Sequence, residues 1–557
     1  MQKLDTDILV VGGGASGVCA AIQAARLGTQ VILVEETPWL GGMLTAAGVS
    51  AIDGNHQLPS GLWGEFRQAL YDYYGGPEAV ATGWVSHTLF EPQVGNRILQ
   101  AMVRAQKNIT VYHGFAISQV LKRDNCVTGA VFTSPDGAEL LINTKITIEA
   151  TEYGDVLPLA GCDYRIGREA RSETGERFAP DSADDIIQDI TYVAILKDYG
   201  PDADMTIPEP PDYNPAEFDG TCRELSDQPD DKLVDARTML NYGRLPNNKF
   251  MVNWPLHGND YYLNLLEMSQ PQRQAALQKA KNHTLGWIHF IQTQGGFRNL
   301  GLADDEFPTR DRLALIPYIR ESRRVIGLYC LALPDLENFY HSPNGSFYQA
   351  GIAVGDYPLD HHHQKSPIPV NEQYPSVWAF TVPYGCLVPK NIDGLLAAEK
   401  SISVTHYVNG CTRLQPVVME VGQAAGAAAA ICVHEQLQPR EIAVRRLQQV
   451  LLDAGAYLMP FADVTPTDPD FQTLQRIGVT GLIKGTRLTR EWVNEMRLYP
   501  DNQVTESEIE TMYTTLIQKG CSLPRTELLN AIRGITRRQL ACWLENNLDP
   551  FWKLPLD

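Results

Sequence analysis

Ten cysteines are scattered through the 557 residues, and no two stand in a Cys-x-x-Cys spacing. Their dispersal disfavours an iron–sulfur cluster, a structural zinc site and a disulfide-reductase pair, and leaves the thiols as small buried apolar residues. Basic residues are few beside acidic ones, 46 Lys+Arg against 66 Asp+Glu, for a formal charge of −20. A chain of that sign does not neutralise a phosphate backbone, so no nucleic-acid partner is expected. Long apolar runs are also lacking: none approaches the roughly 18 to 20 residues that a membrane helix needs. The chain enters its first strand at once, with no room for a signal peptide. The expectation is an acidic cytoplasmic enzyme with no membrane partner, built from three or four domains on its length.

What the chain does have is concentrated near its start. Asp7-Ile8-Leu9-Val10-Val11 runs into Gly12-Gly13-Gly14-Ala15-Ser16-Gly17, and Val18, Ala21, Ile22 and Ala25 then mark a helical stripe that Gly28 ends. Val31 to Val34 form a second strand that stops at Glu35, with Glu36 beside it. This is a dinucleotide cradle. Gly12 permits the tight turn, Gly14 lets backbone N–H groups approach a pyrophosphate, and Gly17 lets the helix pack on the strand. Ala15 and Ser16 open a helix whose N-terminus favours phosphate, and the acid accepts from a ribose hydroxyl.

NAD and FAD share this cradle, so the following residues decide between them. Leu40-Gly41-Gly42-Met43-Leu44-Thr45 comes next. A ligand that continues past its ADP half needs backbone without Cβ atoms, here Gly41 and Gly42, and a hydroxyl such as Thr45 beside its ribityl chain. An ordinary loop turn is the competing reading of the glycine pair. Two later blocks weigh against it: the strand 146–151, ending in Ala150-Thr151, and the segment 394–398, which leads into an alanine- and glycine-rich helix over 417–428.

These four blocks, in this order, resemble the FAD-dependent oxidoreductases of the glutathione-reductase-like group. More closely, the chain resembles a bacterial FAD-dependent oxidoreductase family that shares three further segments. They are Asn-Trp-Pro-Leu-His-Gly-Asn-Asp at 253–260, Arg-Glu-Ser-Arg-Arg at 320–324 and Tyr-Pro-x-Asp-x-His at 357–362. The resemblance implies FAD as cofactor but says little about substrate, because this fold hosts many chemistries. Three positions depart from the pattern. Ala150-Thr151-Glu152 stands for Ala-Thr-Gly, Ala398-Glu399-Lys400 for Ala-Gly-Arg, and Pro383-Tyr384-Gly385 for Pro-Tyr-Arg.

The fold class that follows is α/β. We expect a Rossmann-like FAD-binding domain over 1–180 and 311–455 with a small β-meander, an inserted α+β substrate domain over 181–310, and a C-terminal helical region over 456–557. Helices are expected over 63–74 and 92–107, and from Pro271 to Gln292. The tail pattern resembles a single S-layer-homology-type repeat. One copy reads better as a helical cap, because a stacking repeat needs neighbours to build a groove.

A flavin supplies hydride transfer, so the protein must hold the substrate, move a proton and stabilise charge at the flavin pyrimidine edge. Arg413 and Pro416 precede the glycine-alanine helix, whose N-terminus suits the last task and whose glycines, Gly422 among them, would let it approach the cofactor. His362 is the candidate base, with Asp360 to orient it. Metal binding by His361, His362 and His363 competes with that reading. It is set aside because adjacent histidines alternate faces and a metal needs converging ligands; no metal is expected. His257 is a candidate pocket residue in its proline-bounded turn, and Tyr384 and His406 flank the expected flavin region. Arg320, Arg323 and Arg324, read at helical spacing, suit either a carboxylate clamp or salt bridges. The combined expectation is oxidation of a small polar substrate at a C–O or C–N bond by hydride transfer to flavin, with oxygen or another acceptor. Reduction of an activated double bond is the enzymatic rival, and a cell-wall-binding protein that uses the tail is the rival of a different class.

Overall fold

The computed structural model describes all residues except 229–232, 254, 372, 491–492, 522–523, 533 and 557. Trp254 of the 253–260 segment therefore lies outside the described residues. The opening unit is β1 (Ile8–Val11), α1 (Ala15–Arg26) and β2 (Val31–Glu35). After it come α2 (Gly61–Tyr74), α3 (Pro92–Arg104), β3 (Ile109–His113), β4 (Ile146–Glu149) and α4 (Gln270–Thr293), then β5 (Leu395–Ala397), α5 (His406–Thr412) and α6 (Gln415–Glu435). The five strands form one parallel sheet in the order β5-β4-β1-β2-β3. All four residues of β1 are buried, so both of its faces are covered, which is why it reads as an unbroken apolar run.

Between β3 and β4 the chain makes the expected meander. Strands Ala116–Arg123, Cys126–Thr133 and Glu139–Asn143 are antiparallel, and Gln2–Asp5 joins them along the last. The 181–310 stretch holds an antiparallel sheet of Arg244–Leu245, Lys249–Val252, Ala194–Asp198 and Leu300–Leu302, together with α4. A Ser269–Gln272 capping box starts α4 one residue before Pro271. The arginine segment is not helical: Arg320 to Arg323 form no regular element and Arg324–Val325 is a short strand. Its arginines are therefore separated in space instead of sharing a helix face.

Two expectations about α6 are corrected. This helix is long and apolar enough to cross a membrane, contrary to the reading that no such run exists, and 94% of its most apolar stretch is buried inside the protein. Its glycines face α1, not a cofactor cavity. A Cβ on Gly422 would land on the Ser16 backbone, and one on Gly426 on that of Ala20. Gly422 is thus a helix-packing residue, spaced one turn from Gly426 so that two backbones can touch.

The tail is mixed. Helix Phe471–Thr480 is followed by a hairpin, Thr486–Thr489 with Asn494–Arg497, and then by helices Glu506–Gln518, Arg525–Ile532 and Arg537–Leu548. Leu474, Ile477 and Ile509 are buried and belong to the same apolar core as α1 and α6.

Candidate active site

A cavity opens at the carboxyl ends of β1, β2 and β4, where parallel sheets bind ligands. It is lined by Gly12, Gly14, Glu35, Glu36, Gly42, Ala150 and Thr151, among others. Gly12 has φ 99°, and a Cβ there would strike the Ala150 carbonyl, so only backbone faces the cavity at this turn. Glu35 accepts from the N–H of Gly13 at 2.6 Å and of Thr37 at 2.8 Å, and burial raises its pKa. Met43 is buried in the short turn after Gly42, and Thr45 donates to the Leu40 carbonyl at 2.6 Å.

The two family glycines replaced by glutamate meet here. Glu399 accepts from the Ser16 N–H at 3.0 Å and from Ser16 Oγ at 2.6 Å, at the N-terminus of α1. It sits at φ 52°, in the left-handed region that favours the glycine it replaces. Lys400 is buried between Glu399, at 2.8 Å, and Glu152, at 2.6 Å. The cradle fits a dinucleotide in its glycine turn and its ribose acid. The Ser16 amide, a donor for a diphosphate, is held by Glu399.

A second cluster assembles from the other shared segments. Asp260, the last residue of the 253–260 segment, accepts from His362 Nδ1 at 2.6 Å and from Arg320 at 3.1 Å, and Thr191 also donates to it. His362 Nε2 lies 3.7 Å from Asp360, which pairs with Arg413 at 2.9 Å. Arg413 also donates to the Tyr318 hydroxyl at 2.6 Å. Burial and Arg320 pull the His362 pKa down, but Asp260 and Asp360 outweigh them and hold it above the ordinary value. Burial raises both aspartates, yet Arg320 and His362 hold Asp260 far below the usual range, and His362 and Arg413 do the same for Asp360.

Two further aspartates adjoin this cluster with the opposite behaviour. Burial, reinforced by Asp360, pushes Asp53 up to about 7. Burial, reinforced by Asp260, pushes Asp189 up to about 7. Each keeps one buried carboxyl oxygen without a hydrogen-bond partner.

Of the expected catalytic residues, His362 and Asp360 come together with Arg413, which sits at this cluster and not in the cradle. His257 does not join them. It is exposed, at φ 48° in its turn, and its ring lies beside Gly220. Tyr384 is also placed elsewhere: it is buried and donates to the Pro439 carbonyl at 2.8 Å, a packing role. None of the three arginines is a free clamp. Arg320 serves Asp260, Arg323 serves Asp155 and Glu267, and Arg324 serves Glu169 and Glu321. The orienting partner of His362 was missed as a site residue, although Asp260 closes a quoted segment. Asp53 and Asp189 were missed as well, and their signal was an acid set in an apolar run.

A family model described as FAD dependent oxidoreductase matches residues 7–451. Over 178 residues the chain is 28% identical to digeranylgeranylglycerophospholipid reductase 2 of Methanothermobacter thermautotrophicus, covering 31% of this chain and 44% of that one. Over 49 residues it is 49% identical to sarcosine oxidase subunit alpha of a Corynebacterium species, covering 9% and 5%. The chain thus spans less than half the length of these curated relatives. Among solved structures, the myxobacterial chondrochloren halogenase CndH matches with a TM-score of 0.32 and 12% identity over 97% of both chains. The p-nitrophenol 4-monooxygenase PnpA of Pseudomonas putida gives 0.32 and 10% over 81% of this chain and 84% of that one.

Proposed function

Starting from a chain that belongs to the FAD dependent oxidoreductase family, we propose that this enzyme dehydrogenates a small polar substrate at a C–O or C–N bond, with oxygen or another acceptor taking the electrons. Gly12, Gly14 and Glu35 would hold the ADP half of FAD, and the Ser16 amide its diphosphate once Glu399 releases it. When bound, the flavin supplies the hydride acceptor. The protein's own part is proton movement and substrate orientation.

The observation that carries this reading is the Asp260–His362 pair. The carboxylate at 2.6 Å fixes Nδ1 as the protonated nitrogen, which leaves Nε2 as the atom that exchanges a proton with substrate. Arg320 and Thr191 fix Asp260 in turn, so the ring has a single orientation. The unpartnered oxygens of Asp53 and Asp189 suit a substrate bearing hydroxyl or ammonium donors.

The test is anaerobic mixing of the flavoprotein with amino acids, amines, hydroxy acids and sugars. One class should bleach the flavin, and His362→Gln should slow that bleaching about 10²-fold at unchanged flavin content. Bleaching at the wild-type rate in the variant would overturn the role of His362. A second reading, reduction of an activated double bond, draws on the two carboxylates that favour the proton-donating form of His362. It also draws on the reductase named among the relatives. It predicts the reverse behaviour: no bleaching by the panel, and reoxidation of pre-reduced protein by an unsaturated acid.

A further inference from the structure

Segment 360–363 turns alternate side chains to opposite sides. Asp360 and His362 face the cluster described above. His361 and His363 face away from it and meet His406, the first residue of α5. One ring nitrogen of each of the three histidines lies within 4.8 Å of one from each of the others, and all three side chains are buried. We propose that His361, His363 and His406 form a three-histidine site for a divalent transition metal, zinc before others.

Two of the three rings, His361 and His406, have their nitrogens sorted as a metal requires, while the Nδ1 of His363 is buried without a partner. His361 Nε2 must donate to the Tyr407 carbonyl at 3.0 Å, since a carbonyl only accepts, so its Nδ1 is a bare lone pair. That Nδ1 is buried and has no partner. His406 Nδ1 lies 3.0 Å from the Glu321 carboxylate, to which its N–H donates, and this leaves Nε2 as the ligand atom. An outer carboxylate on a histidine is the arrangement that orients metal-binding imidazoles. His363 Nε2 stands 3.2 Å from His406 Nε2. That separation is close to the roughly 3.4 Å edge between two nitrogens about 2.1 Å from one tetrahedral ion.

Three imidazoles leave a coordination position for water. The ion would tie the 357–363 segment to the start of α5, directly behind His362. The position is separate from the cradle, so the proposal does not depend on the reaction assigned above.

The test uses the full-length protein expressed with added zinc and dialysed against metal-free buffer. Metal analysis should find about one zinc per chain, and cobalt substitution should give the visible absorption of a tetrahedral Co²⁺ site. His363→Ala should lose the metal while keeping its flavin, and Glu321→Gln should weaken zinc binding about tenfold or more. A wild-type protein that retains no zinc and shows no cobalt band, or a His363→Ala variant with full zinc, would overturn the site. In that case the 3.2 Å contact is an ordinary hydrogen bond. The wild-type measurements decide the matter even if the variants fail to fold.

Discussion

Asp260 and Asp360 are held as carboxylates, whereas Asp53 and Asp189, in the same cluster, are pushed up to about 7. Burial acts on all four in the same direction. What separates them is the cation each one touches: Arg320 and His362 for Asp260, Arg413 and His362 for Asp360. Among the described residues the Asp189 carboxylate accepts only the Lys365 backbone N–H, and Asp53 has a buried oxygen with no donor. The difference teaches that depth alone does not set protonation here. Contact with a guanidinium or an imidazole does, and that divides the cluster into a charged side and a neutral side.

The sharpest way to break this division is to remove an inner carboxylate. Asp260→Asn leaves Arg320 buried without its counter-charge and should cost about 3 kcal/mol or more of stability in denaturant melts. A loss below about 1 kcal/mol would mean that Arg320 is not dependent on Asp260. Next in size is the rate effect of His362→Gln, about 10²-fold on flavin bleaching, which locates proton transfer on the charged side.

The neutral side is tested through pH. Folded Asp53 and Asp189 keep protons that the unfolded chain releases above 3.8, so the native state binds more protons between about 4 and about 7. Each therefore subtracts stability as pH rises through that window, and the loss is complete above it. Asp53→Asn, which mimics the protonated form, should stabilise the protein at pH 8 by about 1 kcal/mol or more and leave it unchanged at pH 4. Equal effects at both pH values would show that Asp53 is already ionised. Asp360→Asn is expected to cost less than Asp260→Asn, about 1 to 2 kcal/mol in the same melts, because the Asp360 side chain is 38% exposed although its partner Arg413 is only 2% exposed and keeps the Tyr318 hydroxyl.

The cradle was legible because its parts are local. Strand, glycine turn, helix and acid lie within residues 8–35, and each has its own sequence signal. The candidate cluster was legible only in pieces. His362 and Asp360 are named by the sequence, but the residues they meet come from segments far off in the chain, and no spacing rule links Asp260 or Thr191 to His362. Arg320 to Arg324 were misread because five residues with three arginines mimic helical spacing while the chain runs through without a helix. His257 was chosen for its turn, but a turn's backbone does not reveal which way its side chain leaves. The alternation that led the three adjacent histidines to be set aside as metal ligands is real. It moves His361 and His363 to one side together, and the third ring arrives from α5.

The contact of Gly422 and Gly426 with α1 also has a bearing on how the chain is made. The helix that forms the cradle leaves the ribosome long before its packing partner, which is nearly 400 residues behind it, as is β5. At about 5 to 20 residues per second, the apolar face of α1 waits on the order of tens of seconds for its cover. Such long-range pairing slows folding and exposes nascent chains to aggregation. A truncated or stalled chain that ends before α6 would leave uncovered the face of α1 that Gly422 and Gly426 meet, a natural client for chaperones.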